Sequence, residues 1–510
     1  MTGTARSNNR FNPRLFTGFL VGPLIFLALL FFGDLEPGNP GVTYTLAIAL
    51  LMAIWWITEI VPLAVTALIP VVLFPLLGVM NGKEVSSAYF NHVIFLFIGG
   101  FIVALAMQRW DLHRRIALGI LSITGSSPAR LLLGFMLATA FLSMWISNTA
   151  TAMMMVPILL SIIKKLEEHV EKGSIRRYST GLLLGVAYSA SIGGIATLVG
   201  TPPNLSFARI YQIMFPGAPE VSFSDWFLFA MPITIVGFIG TWAYLYFMFR
   251  PKGPWLDKEA VVFRDQYRAL GPPGFEEKVI LVDFILLAAL WLTRAGISFG
   301  DLSIPGWSAL FSHPEYLNDG TVAIAMAIVL FIIPSRDAGK GRIMDWKSTK
   351  RLPWNIVLLF GGGFALANGF KVSGLSMWFG TQLAGVSVLP PILIILIISL
   401  GMTFLTELTS NTATTEMLLP VLAGLSVSVG VHPLMFMLPA TVSASMAFML
   451  PVATPPNAVI FGSKRITVMQ MARAGLWLNL FGAVLITLLT YYWSTVVFGY
   501  SPFEMPLWVK

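Results

Sequence analysis

The chain has 510 residues, 56% of them hydrophobic and only 11% charged, against roughly 25% charged in an ordinary soluble domain. With a mean hydropathy of +0.80, it reads as an all-α polytopic membrane protein. It has no cysteine, which excludes disulfides, thiolate metal sites and cysteine nucleophiles.

Arg6, Arg10 and Arg14 precede an apolar run from 15 to 32 with no small-residue cleavage site after it, so a retained first span is expected. Apolar runs near 20 residues predict further spans at 42–57, 60–79 and 91–107. A tight cytoplasmic turn at Thr58-Glu59 separates the second from the third, which Pro62 opens at little cost. The stretch 108–124 crowds Arg109, Asp111, His113, Arg114 and Arg115 at one end, the pattern of an amphipathic helix on the inner surface. Segments 130–146 and 152–163 are short for a crossing, which predicts a re-entrant hairpin with Ser147-Asn148-Thr149-Ala150-Thr151 at its tip.

A fifth span from about 178 is interrupted at Gly200-Thr201-Pro202-Pro203-Asn204, where paired prolines are expected to unwind the helix. A sixth span, 227–249, leads to a polar connector at 250–278. Spans at 279–297, 320–334 and 354–370 follow, and then the earlier order returns. An amphipathic piece at 371–385 precedes a second short-helix pair around Ser410-Asn411-Thr412-Ala413-Thr414. A tenth span, 433–466, is broken at Ala453-Thr454-Pro455-Pro456-Asn457, and an eleventh runs from 474 to 497. The expected fold therefore has about 11 transmembrane helices, two re-entrant hairpins and two broken helices, arranged as inverted repeats.

Three matches carry the repeat. Phe97-Ile98-Gly99-Gly100-Phe101 and Phe360-Gly361-Gly362-Gly363-Phe364 lie 263 residues apart, as do the two Ser-Asn-Thr-Ala-Thr phrases, and the Thr-Pro-Pro-Asn phrases lie 253 apart. With the amino end placed in the cytoplasm, six cytoplasmic segments hold 26 of the 32 Lys and Arg residues. The net charge of +8 is thus topological and gives no nucleic-acid footprint. The same topology brings the hairpins in from opposite sides, so their tips can meet near the midplane.

Irregular polar backbone survives at membrane depth only where it is buried in protein or lines a wet cavity. A lone Ser-Asn-Thr between helices is commonly a cap or turn; duplication beside a Pro-Pro break favours a site. Hard cations take oxygen ligands, and Ser147, Asn148 and carbonyls at Gly200 form one candidate cage, with Ser410, Asn411 and carbonyls at Ala453 the other. Neither phrase contains Lys or Arg, so a bound anion would rest on amides, hydroxyls, helix N-termini and co-bound cations. Glu407 and Glu416 flank the second phrase, as satisfied buried acids or as cation or proton groups. No Gly-x-x-x-x-Gly-Lys loop is present, the five histidines are scattered, and Gly361-Gly362-Gly363 reads as a packing motif. An intramembrane enzyme lacks a nucleophile with a positioned base here, and inverted repeats with broken helices favour a transporter over a channel.

Trp56-Ile57-Thr58-Glu59, Pro62-Leu63-Ala64-Val65-Thr66-Ala67-Leu68, both Ser-Asn-Thr motifs and both Thr-Pro-Pro-Asn breaks together resemble the divalent-anion:sodium symporter, or INDY-like, family over nearly the whole chain. The resemblance implies an elevator-type homodimer; the expected location is the cytoplasmic (inner) membrane, and the loop charge with the number of crossings puts the amino terminus inside and the carboxyl terminus outside. Scaffold parts would be 1–128 and 279–388, transport parts 129–249 and 389–510, and the connector 250–278. It implies one sodium site from Ser143, Ser147, Asn148 and the Gly200 carbonyl, and a second from Thr406, Ser410, Asn411 and the Ala453 carbonyl. Asn148, Thr149, Ser410, Asn411, Thr412, Thr454 and Pro455 would contact substrate carboxylates. The implied function is sodium-coupled import of C4-dicarboxylates such as succinate, malate or fumarate, with no organic cofactor. The alternatives are a sodium-independent dicarboxylate exchanger or a sulfate or tricarboxylate carrier of the same family. Glu416 has no clear match in the family pattern and leaves the coupling ion open.

Overall fold

The computed structural model describes residues 13–125, 127–169, 172–251, 260–299, 302–337 and 339–509. Arg6, Arg10, Lys252, Lys258 and Lys510 of the charge count lie outside the described residues. The chain opens with α1 (Pro13–Phe32), α2 (Pro40–Thr58), α3 (Leu63–Thr66), α4 (Ile69–Leu76) and α5 (Gly82–Ser87). Next come α6 (His92–Arg109), α7 (Leu112–Thr124), a hairpin of α8 (Pro128–Ser143) and α9 (Asn148–His169), the two halves α10 (Lys172–Ile195) and α11 (Pro202–Met214), and α12 (Phe223–Phe249). After α13 (Ala260–Ala269), α14 (Phe275–Arg294) and α15 (Asp319–Ile332), the same seven-element order returns. It runs α16 (Trp354–Ser373), α17 (Leu375–Gln382), the hairpin α18 (Pro391–Thr406) and α19 (Asn411–Val429), the halves α20 (Leu434–Ser443) and α21 (Pro455–Gly462), and α22 (Val468–Phe498).

The protein is thus a helical, polytopic membrane protein. Among the described residues, seven helices are long and apolar enough to cross a membrane alone, and shorter apolar helices such as Pro128–Ser143 and Asp319–Ile332 accompany them. Four details differ from expectation. The third span is split at Ala67-Leu68 into α3 and α4. The second arms of the hairpins, at 22 and 19 residues, are longer than the 16-residue first arms. A small antiparallel pair, β1 (Ile297–Phe299) and β2 (Leu302–Ile304), lies between α14 and α15, where sequence patterning showed only loop.

The fourth difference concerns the prolines. They start the second half of each broken span and do not unwind the first, because a ring that fixes φ and lacks N–H is tolerated at the first helical positions. Thr201 (φ −142°, ψ 140°) and Thr454 (φ −139°, ψ 149°) are extended, as the residue before proline must be. The irregular backbone therefore lies upstream, between Ile195 and Pro202 in one repeat and between Ser443 and Pro455 in the other.

Because lipid tails are as apolar as leucine, helices in a bilayer gain little from burying apolar surface, and close van der Waals packing has to hold them together. Small residues permit that approach. A Cβ on Gly362 would lie 2.4 Å from the Ala67 carbonyl oxygen, one on Gly361 would enter the Tyr89 ring, and one on Gly99 would lie 2.5 Å from the Ala323 backbone. The repeat shows itself in space at Phe97 and Phe360, equivalent positions whose rings meet edge to face at 5.2 Å. The short helix before each hairpin lies on it, the amphipathic α7 on α8 and α17 on α19, while α10 is packed by α8, α9, α12 and α21; the expected amphipathic piece at 371–385 is instead the end of α16, the short and evenly apolar α17 and a 3-10 turn. A buried ion pair joins α14 to α15: Arg294 Nε donates to Asp319 Oδ1 at 2.5 Å, and Asp319 Oδ2 accepts the Phe223 N–H at the start of α12 at 2.9 Å. Overpacking a tight contact costs about 1–3 kcal/mol. Gly362→Val is therefore expected to lower the melting temperature of the detergent-purified protein, followed by tryptophan fluorescence, whereas Gly401→Val, where a Cβ meets nothing within 4 Å, leaves it in place.

Candidate functional site

The first hairpin turns between Ser143 and Asn148, and Ser147 caps the new helix by accepting the Ala150 N–H at 3.3 Å. The Asn148 carboxamide then lies 2.5 Å from Ser143 Oγ. In the amide orientation that satisfies its surroundings, Nδ2 donates to the carbonyls of Gly200 (3.3 Å) and Ala190 (3.1 Å). Asn148 is thus within hydrogen-bonding reach both of Ser143 and of the Gly200 carbonyl, which lies far on in the sequence. Two glycines make the room: a Cβ on Gly194 would lie 2.6 Å from the Asn148 carboxamide, and one on Gly200 would lie 2.4 Å from the Gly194 carbonyl oxygen.

The second hairpin repeats the design. Ser410 caps α19 by accepting the Ala413 N–H at 3.5 Å, and Thr406, fully buried, donates to the Thr403 carbonyl at 3.1 Å and keeps its lone pairs free. Asn411 Oδ1 is buried and has no hydrogen-bond partner among the described residues. A buried carbonyl oxygen without a donor is costly unless a cation or water completes it, so this atom fits an ion ligand.

Both breaks are pinned by the asparagine of their Thr-Pro-Pro-Asn phrase. Asn204 Nδ2 donates to the carbonyls of Gly194 (3.2 Å), Ile195 (3.3 Å) and Thr197 (2.7 Å). Asn457 Nδ2 donates to those of Ala447 (3.2 Å) and Leu450 (3.1 Å), the residues 253 positions on from Gly194 and Thr197.

A cavity of about 670 Å³ joins these parts. Ten of the twelve expected residues line it: Ser147, Asn148, Thr149, Gly200, Ser410, Asn411, Thr412, Ala453, Thr454 and Pro455; Ser143 and Thr406 stand behind the lining, fully buried. The first residues of α9, α11, α19 and α21 all border the cavity, so four helix N-termini face one volume. Each carries partial positive charge. Among the described residues, no Lys, Arg or His borders the cavity, and the single acid there is Glu59, in the left-handed region (φ 49°) at the end of α2. Phe97, Phe101, Leu63, Asn355 and Leu359 close the opposite wall.

The family model for the sodium:sulfate symporter transmembrane region matches residues 24–499. The chain belongs to this family. As a member of the divalent-anion:sodium symporters it is a transporter and not an enzyme. Sodium-dependent dicarboxylate transporter SdcS of Staphylococcus aureus, in strains NCTC 8325 and USA300 alike, is 45% identical over 502 residues, covering 97% of this chain and 94% of the relative. Among solved structures, the YdaH transporter of Alcanivorax borkumensis superposes with a TM-score of 0.54 at 13% identity, over 90% of this chain and all of that one; that likeness concerns the fold.

For this symporter-family chain, sequence reasoning missed the opposite wall. Thr58, Glu59 and Asn355 border the cavity, yet nothing local distinguishes a turn that faces a site from one that faces water. Thr201, Pro202 and Pro203 also border it, and the repeat offset to Thr454, Pro455 and Pro456 carried that signal. Of the two acids, Glu407 accepts three hydrogen bonds, from the N–H groups of Met449 and Leu450 and from Asn479. Glu416 is fully buried, accepts from Ser206 Oγ at 2.9 Å, and fills the space left by Gly363, where a Cβ would lie 2.3 Å from its carboxyl carbon. Neither acid borders the cavity. Because a Cβ at 194 displaces the Asn148 amide, Gly194→Ala is expected to cut transport about tenfold, the loss of roughly one charge-assisted hydrogen bond; initial uptake rates normalised to membrane expression measure it.

Proposed function

We propose that the chain is a sodium-coupled symporter importing C4-dicarboxylates such as succinate, malate or fumarate. The observation that carries this reading is a cavity bordered by four helix N-termini and no basic side chain, backed by two oxygen-rich pockets. A dianion entering it finds no full positive charge, only the partial charges of the helix ends, which stabilise it by about 0.3–1 kcal/mol each when exposed and up to about 2 when partly buried. Two carboxylates cost several kcal/mol each to strip of water, so helix ends alone do not hold them. Cations beside the anion close the gap. Ser143, Ser147, Asn148 and the Gly200 carbonyl form one sodium set, and Thr406, Ser410, Asn411 and the Ala453 carbonyl the other.

Asn148, Thr149, Ser410, Asn411, Thr412, Thr454 and Pro455 receive the substrate carboxylates. Asn148 and Asn411 then serve both ion and anion: Asn411 offers the cation its unpartnered amide oxygen, and the Asn148 amide, whose nitrogen faces Ser143 and the Gly200 carbonyl in this structure, turns its oxygen to an entering cation and frees the nitrogen for a carboxylate. Bound sodium raises anion affinity and bound anion raises sodium affinity by the same factor, as linkage requires. Neither charge crosses the low-dielectric interior unpaired. Relatives named as sodium-dependent dicarboxylate transporters at 45% identity support the same ion and substrate class.

Movement follows from the division of the chain. Parts 129–249 and 389–510 form the transport body, and 1–128 and 279–388 the scaffold of a homodimer. Glycine-lined contacts such as Gly363 against Glu416 suit a surface along which one body slides. Thr58, Glu59 and Asn355, on the side assigned to the cytoplasm by loop charge, border the cavity, which supports an inward-open arrangement.

In proteoliposomes, uptake of radiolabelled succinate into empty vesicles is expected under an inward sodium gradient and to vanish when potassium replaces sodium. Uptake only into succinate-loaded vesicles, indifferent to sodium, would replace symport by exchange. Asn148→Ala and Asn411→Ala are each expected to lower sodium-driven uptake about a hundredfold, since each removes contacts to two charged species, with dimer elution unchanged in size-exclusion chromatography. For topology, the cysteine-free chain allows single labels. A membrane-impermeant maleimide should modify Lys83→Cys in intact cells and reach Lys347→Cys only after permeabilisation.

A further inference from the structure

The two repeats tie hairpin to broken span at equivalent places but with different chemistry. In the first repeat, Thr197 Oγ1 donates to the Met144 carbonyl at 2.5 Å. Met144 is 263 residues before Glu407, and Thr197 is 253 before Leu450. At those positions of the second repeat, Leu450 has no hydroxyl, and the tie is made by a carboxylate. Glu407 Oε2 accepts the Leu450 N–H at 2.9 Å, and Oε1 accepts the Met449 N–H at 2.8 Å. A hydroxyl tie in one repeat is therefore a carboxyl tie in the other.

The bonds to Glu407 are those a carboxylate makes, since both oxygens accept N–H groups and no acceptor is among its described partners. Glu407 is 3% exposed, no Lys, Arg or His is among its described partners, and its remaining hydrogen bond comes from Asn479 Nδ2 at 2.7 Å. Asn479 Oδ1 accepts the Phe448 N–H at 3.2 Å. The N–H groups of three consecutive residues, Phe448, Met449 and Leu450, are thus drawn to one Glu-Asn pair, while the Leu450 carbonyl accepts from Asn457 Nδ2 and, at 3.2 Å, from the Ala453 N–H. The carboxylate follows Thr406 directly in the chain and reaches Ala453 through Leu450. Both residues belong to the second candidate cation set.

We propose that Glu407, oriented by Asn479, is the positioning residue of the second cation set, and that its buried charge makes this set bind sodium more tightly than the first. The inference rests on the reading of the two Ser-Asn-Thr sets as sodium sites. A carboxylate compensated only by N–H dipoles remains short of positive charge in a low-dielectric interior, and a sodium ion entering the adjacent set supplies it. The first set has no such partner, since Met144 contributes only a carbonyl dipole. The sets therefore fill in order, the second before the first.

The test compares Glu407→Gln, Asn479→Ala and, as a control in the other repeat, Thr197→Val. Two quantities are read: the sodium concentration for half-maximal succinate uptake, and the sodium midpoint of the rise in melting temperature of purified protein, which needs no transport. Glu407→Gln is expected to raise both about tenfold, the effect of removing a unit charge several ångströms from an ion at intermediate dielectric, with the succinate KM at saturating sodium little changed. Asn479→Ala keeps the charge but frees it, and is expected to shift both midpoints in the same direction by a smaller factor, which keeps the proposal testable if Glu407→Gln does not fold. Thr197→Val is expected to lower the sodium-free melting temperature without moving the tighter midpoint. Unchanged sodium midpoints in folded Glu407→Gln or Asn479→Ala, with only a lower sodium-free melting temperature, would reduce Glu407 to a structural tie and overturn the proposal. A wild-type protein indifferent to sodium in both assays would overturn the symport reading and this inference with it.

Discussion

Backbone polar groups cannot be left open inside a bilayer, and this structure depends on how it satisfies the two places where its helices stop at membrane depth. Each unpaired N–H or C=O there costs several kcal/mol. The protein solves the problem twice with one residue type: Asn204 and Asn457 each reach back about ten residues and bind the carbonyls of the irregular stretch before them. Proline-started helices follow both stretches, and capped helices follow both hairpin turns. The same breaks that create unsatisfied groups thereby create four helix N-termini around one cavity. Cost and function have a common origin.

Symmetry explains why the arrangement closes. Phe97 meets its own counterpart Phe360, α7 and α17 lie on equivalent hairpins, and Pro157 and Pro420, again 263 residues apart, sit inside the equivalent second arms α9 and α19. The repeats are not copies in detail. Gly194 and Gly200 of the first break stand where Ala447 and Ala453 stand in the second; a Cβ on Gly194 would meet the Asn148 amide, and one on Gly200 the Gly194 backbone. The carboxylate of Glu407 replaces a hydroxyl-to-carbonyl tie. Duplication supplies the architecture, and local divergence makes the halves chemically distinct.

Much of the fold was legible because membrane and repeat constraints act on sequence directly. A crossing needs a long apolar run, loop charge follows sidedness, and an oxygen-rich phrase between apolar segments has few places to go. The hairpins, both breaks and six of the cavity-lining residues followed from that reasoning, while Thr149, Thr412, Thr454 and Pro455 rested on the family resemblance. Boundaries were less legible. The third span splits at Ala67-Leu68, and the irregular backbone lies before the prolines and not on them, since proline is permissive at a helix start and restrictive just before it.

By itself the sequence determined the class, the inverted repeat and the polar phrases that must face a cavity, because each follows from composition or from a pattern along the chain. Only the tertiary structure decided what the cavity's other wall is made of, that Ser143 and Thr406 stand behind the lining, and what the buried acids touch. Glu407 and Glu416 are alike in sequence context, two carboxylates beside one motif. One is drawn to backbone N–H groups and Asn479, the other to Ser206 and the space above Gly363. The difference arises from partners tens to hundreds of residues away, and contact at that separation is a property of packing that no local pattern records.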